Sequence, residues 1–147
     1  MTQGWRRYEY ARVIEFHDGD TCTVEIDHGF KVKQSISVRL FGISCPETRG
    51  KEKAAGVQAL AGAMEFLLPR PPECLLWTWK MTFTRYVGRI LLGGERDLAR
   101  LMLESGLGQA WDGKTERLEF KEFPVADTAV EVAEYDRLLE RDWLGAL

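Results

Sequence analysis

The stretch YEYARVIEFHDGDTCTVEI, Tyr8 to Ile26, decides how this chain is read. Tyr8 to Phe16 alternates and is rich in strand formers, and it stops at Asp18-Gly19-Asp20, residues that turn a chain. Thr21 to Ile26 alternates again, with Cys22, Val24 and Ile26 on one face. Asp27-His28-Gly29 marks the next turn. Ser35 to Ile43 follows as a third strand, with Ile36, Val38 and Leu40 to one side. Three strands joined by short turns read as a meander. Pro46 ends it, because proline has no N–H for the ladder.

Further along, Val57, Leu60, Ala61, Met64, Leu67 and Leu68 fall at helical spacing, and Pro69 to Pro72 stops that helix. Leu75 to Met81 and Gly88 to Leu92 read as two more strands. Asp97 is an N-cap for a second helix that turns Leu98, Leu101 and Met102 inward and ends at Gly106. After a polar stretch from Asp112 to Pro124, Thr128 and Glu131 form a capping box. The third helix then spans about residues 127–141, with Val132, Tyr135 and Leu139 on one stripe and Trp143 docking it on the barrel. Three strands, a helix, two strands and two helices predict a mainly β fold with α: a five-stranded Greek-key OB-fold barrel with three helices. No repeat or linker interrupts the chain, so a single domain over residues 1–147 is expected.

Composition narrows the classes. The 147 residues are 45% hydrophobic and 29% charged, ordinary for a globular chain able to bury a core without staples. No apolar run is long enough for a membrane helix, and Arg6 and Arg7 are not followed by the apolar run of a signal peptide. The three cysteines, Cys22, Cys45 and Cys74, are too widely spaced for a disulfide framework or a zinc ribbon. His17 and His28 add no zinc spacing to them. A reducing, cytoplasmic setting and a monomer are expected. The net charge of −3 hides a segregation. Lys31, Lys33, Arg39, Arg49, Lys51, Lys53, Lys80, Arg85 and Arg89 make the centre basic, while the chain turns acidic from Asp112 onward. Such a distribution admits a polyanion to one face.

Four short motifs then occur in a fixed order: Asp18-Gly19-Asp20-Thr21; Arg39-Leu40-Phe41-Gly42-Ile43-Ser44-Cys45-Pro46-Glu47-Thr48; Gly88-Arg89; and Asp97-Leu98 through Gly106-Leu107. Over roughly Val13 to Trp111 the chain resembles the staphylococcal nuclease family, whose pattern runs D-G-D-T, R-L-x-x-I/V-D-x-P-E, Y-G-R and G-L-A. The resemblance implies calcium-dependent hydrolysis of phosphodiester bonds in single-stranded DNA or RNA. It implies Asp20 and the backbone carbonyl of Cys45 as calcium ligands, Glu47 as general base or water-orienting group, and Arg39 and Arg89 as the phosphate clamp. These residue types suit the chemistry. Calcium takes oxygen ligands, guanidinium forks meet charge developing on phosphate, and a carboxylate orients the attacking water.

Two positions depart from the pattern. Ser44 stands where the family has its second aspartate ligand, and a neutral hydroxyl weakens any calcium site. Val87 precedes Gly88-Arg89 where the family has tyrosine, with Tyr86 one residue early. Tyr86, Lys51, Lys53 and Trp111 are the expected nucleic-acid contacts, Trp111 through stacking. The alternative expectation is a catalytically inactive module of the same fold that binds nucleic acid or a protein partner.

Overall fold

The computed structural model describes residues 4–67, 73–82 and 84–144. Five long strands make the barrel: β1 (Arg6–Asp18), β2 (Thr21–Asp27), β3 (Lys33–Leu40), β5 (Glu73–Thr82) and β6 (Arg85–Leu92), with a short β4 (Ile43–Ser44) between the third and fourth. β1 pairs antiparallel with β2 and with β5, β2 with β3, and β5 with β6. A parallel pairing of β3 with β6, from Val38↔Tyr86 to Leu40↔Gly88, closes the ring. This is the expected mainly β, OB-like barrel with three helices. Alternation does the inward sorting, as expected for strands with one buried face. Cys22, Val24, Val38, Leu40, Leu76 and Ile90 are fully buried inside.

β6 begins at Arg85, three residues before the expected start at Gly88, which bears directly on the site. A two-residue strand β7 (Arg96–Asp97) leads into α2 (Leu98–Glu104), whose N-cap is Asp97: its carboxylate accepts from the Ala99 N–H at 3.1 Å. β8 (Gln109–Ala110) pairs with β4, Ser44 opposite Gln109.

The first helix, α1 (Lys53–Glu65), departs from the expected stripe. Val57 and Met64 are exposed, and the buried face is Gly56, Ala59 and Ala63. The helix lies so close to the preceding chain that only small residues fit. A Cβ at Gly56 would stand 1.9 Å from the Glu47 carbonyl oxygen. Large apolar residues mark the buried face of a helix only when there is depth to fill. Leu68, the last residue of that stripe, and the expected stop at Pro69 to Pro72 lie outside the described residues.

The third helix, α3 (Thr128–Asp142), matches expectation in extent, and Tyr135 and Leu138 are its buried residues. Its cap differs. Asp127 accepts from the Val130 N–H, and Glu131 reaches across to accept from the Ala110 N–H at 3.0 Å. Trp143 docks the helix as expected, against Trp5 and Trp77 at ring separations of 4.9 and 4.8 Å. No helix among the described residues is long and apolar enough to cross a membrane.

Candidate functional site

One cleft of about 610 Å³ gathers the polar residues of four separate segments. Asp18, Asp20, Arg39, Ser44, Cys45, Glu47, Arg49, Thr82, Thr84, Arg85, Trp111, Gly113 and Arg117 line it. The Asp18-Gly19-Asp20 turn stands over the barrel end because Gly19 is buried. A Cβ there would meet Met102 Cε, Cys45 Sγ and Ala59 Cβ at 3.0–3.2 Å. That close approach leaves the flanking carboxylates to face the cleft.

Both carboxylates organise the opposite wall. Asp18 Oδ1 accepts from the Thr48 N–H at 3.2 Å and its hydroxyl at 2.9 Å. Asp20 Oδ2 accepts from the Cys45 N–H at 2.8 Å. Burial pushes the Asp20 carboxyl above its ordinary value, against the pull of the Cys45 N–H and the Arg39 charge. The Glu47 N–H donates to Glu52 at 3.3 Å, and α1 backs the Glu47 carbonyl at Gly56. The Glu47 side chain is exposed into the cleft. Burial lowers the Arg39 guanidinium, with Asp20 opposing and the nearby Arg85 charge adding to the drop. Arg39 lies over the Trp111 ring at 4.3 Å, a cation–π contact that fixes its plane.

Of the residues expected at the site, Asp20, Arg39, Ser44, Cys45, Glu47 and Trp111 therefore meet. Arg89 does not. Its Nη2 donates to Asp97 Oδ2 at 2.8 Å, and its guanidinium lies 4.5 Å from the Trp143 ring. Tyr135 donates to the same Asp97 oxygen at 2.6 Å. Burial works against the Arg89 charge, but Asp97 beside it holds the pKa above its ordinary value. Arg89 is thus a structural pin beneath α3. The second cleft arginine of β6 is Arg85, four residues earlier. Starting the strand at Gly88 hid it, although Tyr86 and Val87 are strand formers that carry the strand back to Arg85.

Tyr86 sits between Val38 of β3 and Met81 of β5 and does not line the cleft. Lys51, on a short turn at Gly50–Glu52, and Lys53, opening α1, are exposed but also lie off its wall. Arg117 went unnoticed in the sequence because the polar stretch around it has no periodicity. Its Nη2 donates to the Cys45 carbonyl at 2.9 Å and to Glu52 Oε1 at 2.7 Å.

That contact decides how a calcium ion fits. The Cys45 carbonyl expected to ligate metal instead accepts from a guanidinium. One Asp20 oxygen accepts from the Cys45 N–H and the other from the Thr21 hydroxyl, and Asp18 Oδ1 accepts from Thr48. Ser44 Oγ is buried and without a hydrogen-bond partner, a single neutral oxygen. Calcium takes 6–8 oxygens with carboxylates to balance its charge. The residues in this arrangement do not fit it, and among the described residues no group of three or more His, Cys, Asp and Glu side chains could hold a metal. No protein-family model matches the chain, and no curated protein matches its sequence.

Proposed function

We propose that the cleft is a phosphodiester site of the staphylococcal nuclease type, taking a single-stranded DNA or RNA chain and hydrolysing it. The observation that carries this reading is the convergence of Arg39 and Arg85 on one cleft with the exposed carboxylate of Glu47. Two guanidinium forks on neighbouring, parallel-paired strands suit the equatorial oxygens of a phosphate, where transition-state charge accumulates. Glu47 orients a water and takes its proton as the water oxygen bonds to phosphorus. The P–O ester bond breaks, and the leaving oxygen acquires a proton from solvent. Trp111, which lines the cleft, offers a surface for a base.

A second reading is binding without cleavage. Ser44 in place of a charged ligand, and Arg117 on the Cys45 carbonyl, favour it.

One experiment separates the two. Labelled single-stranded DNA and RNA are offered to wild type, Arg39→Ala and Glu47→Gln, and both cutting and fluorescence anisotropy are read. Calcium, manganese and magnesium series run beside a chelated control. The enzymatic reading expects cutting that falls by at least about a hundredfold in Glu47→Gln with binding retained. Binding that needs Arg39, with no cutting in any condition, establishes the binding module. Neither binding nor cutting by folded wild type removes both.

A further inference from the structure

The segment from Trp111 to Pro124 carries a basic side chain into the cleft and is stapled to hold it there. Asp112 Oδ1 accepts from the Lys114 N–H and the Thr115 N–H, both at 2.8 Å, and from the Thr115 hydroxyl at 2.9 Å. These bonds hold its carboxyl down at about 2, so the turn persists through the neutral range. Trp111 Nε1 donates to the Thr115 carbonyl, and Gln109 Nε2 to the Leu118 carbonyl. Between those clamps stands Arg117, with its guanidinium on the Cys45 carbonyl and on Glu52.

We propose that Arg117 is a resident cation of this cleft, standing in place of a divalent ion and contacting the bound phosphate, so that the site engages nucleic acid without metal. This rests on the phosphodiester reading above. Charge balance supports it. Calcium draws on several carboxylate and carbonyl oxygens at once, and here Asp18 and Asp20 each spend an oxygen on a backbone N–H while Ser44 brings no charge. A guanidinium needs one counter-ion, and Arg117 has Glu52 at 2.7 Å, both side chains largely sheltered from solvent. The bonds to Cys45 and Glu52 both come from Nη2, and Arg117 still lines the cleft. Arg39, Arg49 and Arg85 line the same cleft, so that with Arg117 its arginines outnumber the carboxylates of Asp18, Asp20 and Glu47. A planar fork also satisfies phosphate oxygens in pairs, which a point charge does not.

The test uses a labelled oligothymidylate and calcium chloride as separate probes. Wild type should bind the oligonucleotide equally in chelator and in millimolar calcium, and calorimetry with calcium alone should show no binding. Arg117→Gln should weaken oligonucleotide binding in chelator about tenfold, the loss of roughly one charge-assisted hydrogen bond. The double variant Ser44→Asp with Arg117→Gln should acquire calcium binding by calorimetry, since it restores a carboxylate and frees a carbonyl. Circular dichroism confirms that each variant folds. Calcium binding by wild type, or Arg117→Gln matching wild type in chelator, overturns the proposal. If wild type fails to bind oligonucleotide, the phosphodiester reading has failed, and the calcium titrations still judge Arg117. Metal binding confined to the double variant then supports its place as the cation, and metal binding by wild type refutes it.

Discussion

Arg85 and Arg89 stand four residues apart on β6, about 13 Å along an extended strand, in opposite surroundings. Arg85 is exposed at the strand's start, where β6 meets β3 beside Arg39, and it faces a solvent-filled cleft. Arg89 is largely buried, paired to Asp97, with Tyr135 on the same carboxylate and Trp143 over its plane. The same side chain is open to a ligand where water can reach it and is spent as a cross-link where it cannot. Burial is therefore a better guide to which arginine acts than the dipeptide around it.

Three substitutions sharpen or break that contrast. The largest effect is expected for Arg89→Ala, which leaves Asp97 and the Tyr135 hydroxyl buried without their cation. The cost should be about 3–5 kcal/mol in urea unfolding, because a stranded buried charge is expensive. A loss below roughly 1 kcal/mol, within the range of ordinary surface changes, would show that the pin does not hold α3.

Arg85→Ala is the mirror case. Its side chain is exposed, so stability should stay within about 0.5 kcal/mol of wild type. Binding of single-stranded oligonucleotide should weaken about tenfold or more. Unchanged binding would take Arg85 out of the site and leave the barrel with one clamp.

The smallest effect concerns Asp20. Burial raises its carboxyl above the ordinary value of 3.8, so the folded state holds that proton more tightly than the unfolded chain does. Its contribution to stability is fully present below that value and is lost as pH rises through the folded-state pKa. Asp20→Asn cannot ionise. The difference in urea midpoint between wild type and variant should therefore drift in the variant's favour as pH rises from the acid range toward neutrality. Parallel curves for the two proteins would mean that Asp20 is not perturbed.

The barrel was legible because strand alternation and turn residues are local. Ile36, Val38 and Leu40 announce an inward face, and Asp18-Gly19-Asp20 announces a turn, whatever lies elsewhere in the chain. The capping aspartate at position 97 was legible for the same reason. The first helix was not, because its buried face is made of Gly56, Ala59 and Ala63, and small residues carry little hydrophobic signal. The third helix's cap was half legible. Glu131 has the spacing of a capping box but finds a better partner in the Ala110 N–H of a distant strand.

The sequence by itself determined the succession of strands and the barrel class, while a resemblance in motif order put Asp20, Arg39, Ser44, Cys45, Glu47 and Trp111 forward as one site. The strands follow from short-range periodicity; the grouping follows from the resemblance, not from the spacing of residues as far apart as Asp20 and Trp111. Only the tertiary structure decided which β6 arginine faces the cleft and that Arg117 enters it from beyond β8. Both depend on where the ring closes between β3 and β6 and where the segment after Trp111 folds back. Closure sets distances between residues far apart in the chain, and no local pattern carries that information.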